Sequence, residues 1–148
     1  MPFQFRFAAI LDLRRRERDE AGAHVGQANE AMERIREQIR SKQNERTSLR
    51  ENANSNRVGP VSVDSLLAKG RYDLQLQGDI RSLEETHGEL KQELERRQAS
   101  LVVAESELKR FEKLHERAEA KYREEIYKRE QAEAEDATTR RYIIQRQR

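Results

Sequence analysis

The sequence predicts an all-α protein: an antiparallel two-helix coiled coil, or helical hairpin, with the C-terminal helix longer than the N-terminal one. Charged residues make up 39% of the 148 residues and hydrophobic residues only 34%, which is too little apolar surface for a rounded core. The 30 basic residues nearly cancel the 28 acidic residues, so the large net charge typical of disordered chains is missing. Apolar residues also recur at alternating steps of four and three, the signature of a coiled-coil seam.

The first predicted helix runs from about residue 3 to about residue 50 and has a weak apolar stripe. Arg14 and Glu17 stand where the stripe calls for apolar residues, and Gly22 and Gly26 lie inside the helix, each at a cost of roughly 1 kcal/mol relative to alanine. The stripe consists of Phe3, Phe7, Ile10, Ala21, His24, Ala28, Ala31, Ile35 and Leu49, with Met32 and Ile39 beside it.

A polar linker follows at about residues 51–65. Gly59-Pro60 excludes a continuous helix there, because proline lacks the amide proton and clashes with the preceding turn. Asp64 or Ser65 is expected to cap the next helix, since short polar side chains accept hydrogen bonds from its free amide groups.

The second predicted helix runs from about residue 66 to about residue 137, followed by a basic tail at 138–148. Eleven of fourteen positions at alternating steps of four and three are apolar, a repeat held long enough to define a seam. The seam is Leu76, Ile80, Leu83, His87, Leu90, Leu94, Arg97, Leu101, Ala104, Leu108, Phe111, His115, Ala118 and Tyr122.

If the chain folds back near Gly59, the numbers of paired residues sum to about 120, because the short linker returns the second helix beside the first. Residues near 115 then lie beside the N-terminus, and the helix after Ala118 extends past it alone. The chain is expected to form a single coiled-coil domain, 1–148, and to be a monomer. A parallel dimer is the main alternative, and the linker argues against it.

Catalytic and metal chemistry find no support in the residues. The chain has no cysteine and no glycine-rich phosphate loop. His87 and His115 lie about 42 Å apart along one helix, so they cannot share a metal ion, and a register-setting role in the seam suits these histidines better. We therefore expect no catalytic residue, metal, cofactor or small-molecule substrate. With neither a signal peptide's apolar core nor a long apolar run, a cytoplasmic location is expected.

Two basic clusters are candidates for partner binding. The first cluster covers more than half of the circumference of the first helix and consists of Arg14, Arg15, Arg16 and Arg18. The second is the C-terminal sequence TTRRYIIQRQR, in which arginines flank three apolar residues, Tyr142 to Ile144. Such clusters attract phosphates, so a basic nucleic-acid-binding coiled coil is one alternative. Interspersed acids and the lack of interleaved aromatic residues argue against it. A purely structural homodimer is another alternative.

The opening residues, from Phe3, Phe5 and Phe7 through Ile10 and Leu11 to the arginine run, resemble the N-terminal pattern of the FliJ family, coiled-coil proteins of the flagellar type III export apparatus. The late stretch RFEKLHERAEAKYREEIYKREQAEAEDA is similar to that family's C-terminal signature, with matches at Phe111, Leu114, Tyr122, Glu130 and Gln131.

The resemblance implies a non-enzymatic protein, similar to the stalk of rotary ATPases, at the inner-membrane face of the flagellar base. Its implied partners are a hexameric export ATPase, whose ring it enters, the membrane-embedded export gate, and export chaperones that it escorts. A stalk protein of a virulence-type injectisome is the nearest alternative. The residues expected to meet the ATPase ring are Phe5, Leu11, Arg14, Arg15, Arg16, Arg18, Tyr122, Arg129 and Gln131.

Overall fold

The computed structural model describes residues 2–55 and 62–147. It contains two helices, α1 (Ala8–Ser55) with 48 residues and α2 (Val63–Arg146) with 84 residues, packed antiparallel as a hairpin. This confirms the predicted fold class, including the longer C-terminal helix. The chain forms two compact units: unit 1 comprises Met1–Asp19 and Val103–Arg148, and unit 2 comprises Glu20–Val102. The expectation of a single domain stays a prediction.

The start of α1 differs from the prediction. The helix begins at Ala8 instead of Phe3, and residues 2–5 are irregular and lead into a turn at residues 6 and 7. The amide of Ala8 donates to the carbonyl of Phe5 over 3.2 Å, which closes that turn. A helix through Phe3, Phe5 and Phe7 would spread their rings around its circumference, because residues two apart point in different directions. The irregular segment lets the rings gather on α2.

The other helix ends also lie further out than predicted. α1 continues to Ser55, and α2 begins at Val63 and runs to Arg146, so most of the supposed basic tail is helical, in keeping with the absence of glycine and proline there. The hydroxyl oxygen of Ser62 accepts from the amide of Ser65 over 3.5 Å, so Ser62, rather than Asp64 or Ser65, caps α2. The predicted break at Gly59-Pro60 lies outside the described residues.

All fourteen positions of the predicted seam of α2 are buried or half-buried. Leu76 and Ile80 in unit 2 and Leu108 in unit 1 are its most buried members. Leu83, Leu90, Leu94, Leu101 and Phe111 are half-buried, because two helices cover a seam from one side only.

The stripe of α1 agrees with the predicted one at Ala21, Ala28, Ile35 and Leu49 and shifts by one residue at positions between and before them. Leu11 is 5% exposed whereas Ile10 is 37% exposed, so Leu11 takes the inward position. His24 is exposed and Val25 half-buried. These pairs are adjacent in sequence, so apolar character alone does not choose between them. The inward positions step by three and four: Leu11, Arg14, Arg18, Ala21, Val25, Ala28, Met32, Ile35, Ile39, Lys42, Arg46 and Leu49.

Polar contacts fix the antiparallel register in unit 2. Arg46 Nε donates to Asp73 Oδ1 over 2.9 Å, and Tyr72 Oη donates to Glu45 Oε2 over 2.8 Å. The hydrogen bond to Glu45 raises the pKa of the Tyr72 phenol. These residue numbers sum to 119 and 117, close to the predicted 120.

The seam histidines and the seam arginine also contribute to this register. Arg97 Nη1 donates to the carbonyl of His24 over 2.8 Å, and its Nε donates to Glu93 over 3.0 Å. Arg36 Nε lies 3.3 Å from His87 Nε2. Polar side chains at seam positions therefore pair across the helices, which favours one register over its neighbours.

Two leucines with opposite environments test the seam. Leu76 is 1% exposed and Leu74 is 67% exposed. Leu76→Ala is expected to lower the free energy of unfolding by about 2–4 kcal/mol, because it removes buried methyl groups and leaves a cavity. Leu74→Ala, the matched control, should change the free energy of unfolding by less than about 0.5 kcal/mol. Denaturant unfolding followed by far-UV circular dichroism measures both, and equal losses would contradict the assigned seam.

The Arg46–Asp73 pair predicts an acid-side loss of stability. The hydrogen bond from Arg46, followed by the charges of Arg46 and Arg50, holds the pKa of Asp73 below its ordinary value. A carboxylate with a lowered folded-state pKa stabilises the protein above its unfolded-state pKa, and this contribution is lost as the pH falls below about 4 through the folded-state pKa. Asp73→Asn should therefore lower the melting temperature at pH 7 and leave it unchanged near pH 2.

The exposed carboxylate Glu85 supplies the control for this pH profile, as Glu85→Gln. Its melting temperature should track that of the unchanged protein across the whole range. An Asp73→Asn deficit that stays constant from neutral to strongly acidic pH would show that the ion pair is not the cause.

Candidate partner-docking site

The N-terminal segment is held against α2 by aromatic rings in unit 1. The ring centroids of Phe3 and Phe5 lie 5.6 Å and 5.0 Å from that of His115, both edge to face. Phe3 also lies 5.3 Å from Tyr122. Such pairs contribute roughly 0.5–1.5 kcal/mol each beyond the area they bury. The rings therefore attach the segment to α2 as predicted, with residues near 115 beside the N-terminus.

A second part of the same ring cluster lies where α1 begins. Phe7 is 5.9 Å from Phe5 and 6.4 Å from Phe111, both edge to face. Sequence reasoning placed Phe7 in the seam and missed His115 as the centre of this cluster. The signal that could have found it is the spacing of two between the phenylalanines, which suits an irregular segment better than a helix.

The four arginines expected to meet a partner divide into two kinds. Arg14 Nη1 donates to Glu17 Oε2 over 2.9 Å, and its guanidinium carbon lies 5.6 Å from the Phe111 ring centroid. This hydrogen bond raises the pKa of Arg14. Arg18 is half-buried and contacts Asp19 at 2.9 Å. Both belong to the packing of unit 1, and neither presents a free guanidinium.

The other two arginines face solvent. Arg15 is exposed and lies 3.6 Å from Asp12, a distance at which a surface ion pair is weak. Arg16 is exposed, and among the residues that the structure describes it forms no ion pair. Arg15 and Arg16 are therefore the members of the cluster that can receive acidic groups of another molecule.

Two other expected contact residues are already committed within unit 1. Leu11 is buried, and Phe5 packs on His115. An open groove runs beside them, lined by the remaining residues of the N-terminal segment and the first turn of α1. Leu11 lines this groove. Leu13 is half exposed and is an apolar side chain of α1 that is accessible to another molecule.

The last part of α2 presents a helix without a partner within unit 1. Tyr122 and Ile126 are half-buried, and every residue from Tyr127 to Gln147 is exposed. Arg129 and Gln131 lie in this stretch, and the amide of Gln131 donates to the Tyr127 hydroxyl over 2.9 Å. The helix is supported locally by ion pairs one turn apart, Arg123–Glu119 and Lys128–Glu124, which are individually worth only tenths of a kcal/mol.

Neither a metal site nor a membrane-spanning helix is present among the described residues. Within residues 2–55 and 62–147, no three histidine, aspartate or glutamate side chains approach closely enough to hold a metal ion. Over the same residues, no helix is long and apolar enough to cross a membrane.

Comparison with known proteins assigns the chain to a family. The curated proteins and the solved structures yield no match. The model of the family described as "Flagellar FliJ protein" matches residues 3–147, which is nearly the whole chain and includes both the ring cluster and the exposed end of α2. The protein therefore belongs to the FliJ family, whose members are non-catalytic components of the flagellar type III export apparatus.

Proposed function

We propose that the protein docks in the central channel of the hexameric export ATPase and couples that ring to the export gate at the inner membrane. The observation that supports this best is the exposed helix from Tyr127 to Gln147. A single helix is about 10–12 Å across with its side chains, so it enters a channel that a helix pair cannot. No described residue of unit 1 packs on this helix. A ring that encloses the helix would contact it on all sides.

Charge gives the docking its orientation. Arg15 and Arg16 stand on the first turns of α1, behind the ring cluster and away from the seam. Guanidinium groups bind carboxylates in two parallel hydrogen bonds, so acidic residues at the rim of the ring suit them. Arg129, exposed on the projecting helix, offers a further contact inside the channel. Leu13 and Gln131 complete the proposed contact surface, and Arg14, Arg18 and Tyr122 support it from within.

The escort of export chaperones and the coupling to the gate are parts of the same proposal that the family membership supports. The injectisome alternative shares the fold, but the matching family is the flagellar one. Nucleic-acid binding is less supported, because Arg15 lies beside Asp12 and Arg18 beside Asp19, which lowers the local positive potential that phosphates would require.

Charge reversal at the two exposed arginines tests the proposal. Arg15→Glu together with Arg16→Glu should weaken binding to the purified export ATPase by at least about tenfold, because each lost charge pair becomes a repulsion. Surface plasmon resonance with immobilised ATPase gives the affinity, and ATP hydrolysis with and without the protein gives the effect on the ring. Arg14 is left unchanged, since its replacement would disturb the packing against Phe111.

The matched control reverses two exposed arginines of unit 2, Arg34→Glu and Arg40→Glu, which alters the net charge by the same amount. It should bind the ATPase as the unchanged protein does. If both double variants lose affinity equally, the effect is general electrostatics and the rim contact is wrong. If neither loses affinity, Arg15 and Arg16 do not face the ring.

A further inference from the structure

The first turns of α2 carry a second apolar stripe that is separate from the seam. Val63, Leu66, Leu67 and Leu74 are between 51% and 69% exposed. At 100° per residue they fall within an arc of about 100°, together with Gly70. Val63, Leu67, Gly70 and Leu74 fall within about 60° of one another, and the seam residues Asp73, Leu76 and Ile80 lie about 90° or more from the centre of that arc. Leu66 lies at the edge that borders the seam. Large aliphatic side chains gathered on one exposed face mark an interaction surface.

The spacing of this stripe is itself that of a coiled coil. Val63, Leu67, Gly70 and Leu74 follow one another at steps of four, three and four, so they line one side of the helix as a and d positions do. We call these four residues the second stripe. Its occupant is therefore expected to be a helix with the same spacing.

Gly70 has no function in the packing of its own chain. A Cβ added at this position would meet no atom within 4 Å, so the chain has room for any small side chain there. A glycine inside a helix costs roughly 1 kcal/mol relative to alanine. The missing side chain instead leaves a hole in the second stripe, into which a knob from another helix fits.

We propose that two copies of the protein pair through the second stripe, antiparallel about a twofold axis. In an antiparallel coiled coil, a positions of one helix meet d positions of the other. Val63 of one copy then meets Leu74 of the second, and Leu67 fills the hole at Gly70 of the second. Because the arrangement is twofold, each contact occurs twice. The interface then has four layers. A valine–leucine layer lies at each end, and two leucine–glycine layers lie between them.

Charge complementarity identifies the occupant as a second copy. Asp64 and Arg71 flank the second stripe on the same side, seven residues apart. Neither forms an ion pair with another of the residues that the structure describes. In the antiparallel register above, Asp64 of one copy lies opposite Arg71 of the other, and the twofold axis repeats the contact. The same surface thus carries an acid and a base, and a knob and a hole. Each of these matches its complement on the second copy.

The residues of this pairing all belong to unit 2. The fold-back of the chain argues against a dimer made by two extended chains, but two complete hairpins can still associate. The interface is small, so it resembles the weak and transient class of protein contacts. A reversible dimer is therefore expected only at high protein concentration or where the protein is locally concentrated.

Sedimentation equilibrium of the full chain tests the pairing. The unchanged protein should sediment as a monomer–dimer equilibrium, and Leu74→Glu should raise the dissociation constant at least tenfold. The control is Val102→Glu, at a valine that is 60% exposed and outside the second stripe, and it should leave the equilibrium unchanged. Gly70→Leu should also weaken the dimer while keeping or raising the melting temperature, since leucine favours helix over glycine.

The ion pair gives a stricter test through charge exchange. Asp64→Arg alone and Arg71→Asp alone should each suppress the dimer, because like charges then meet at both contacts. An equimolar mixture of the two variants should restore dimers, since each base again faces an acid. A monomer at every concentration of the unchanged protein would overturn the proposal. So would a dimer that survives Leu74→Glu and Gly70→Leu, or a mixture that fails to recover.

Discussion

Two helices that pack side by side bury one stripe from each partner, and this stripe must return to the same side every 3.5 residues. All other features of the protein depend on this constraint. It leaves a thin core: Leu11, Ala28, Met32, Leu76, Ile80 and Leu108 are the described hydrophobic residues that are buried. The seam contains only the apolar residues that lie on one face of each helix. The remaining faces are free to carry charges, and some of these charges set the register.

The fold was largely predictable, because α2 repeats its apolar residues without ambiguity over many turns. The phase of α1 was not. Ile10 and Leu11 are adjacent and equally apolar, and His24 and Val25 can both line a weak stripe. In each pair, only contact with α2 distinguishes the inward residue. Helix ends were also misplaced. Phe3, Phe5 and Phe7 read as the start of a helix when taken as apolar residues, although their spacing of two favours an irregular segment that packs rings on His115.

The arginine cluster of the candidate site was evident from the sequence, but which of its side chains are exposed was not. The arginine run is uniform as a sequence, yet the structure separates Arg14 and Arg18, which lie along the inward face, from Arg15 and Arg16, which do not. Once the inward positions of α1 are known, the helical repeat separates the inward arginines from the exposed ones. The error in the predicted inward positions therefore carried over to the site. Tyr122 and Leu11 likewise turned out to serve the packing of unit 1. Family membership places the protein in the flagellar export apparatus, whereas only the structure distinguishes the exposed arginines from the packed ones.

The helical state of the exposed end of α2 has an energetic consequence for any molecule that encloses it. A disordered tail would lose roughly 1–2 kcal/mol of backbone entropy per residue on becoming helical in a complex, and that loss would reduce the affinity. Here, the backbone is already helical as far as Arg146. A molecule that encloses this helix would therefore bear little ordering cost.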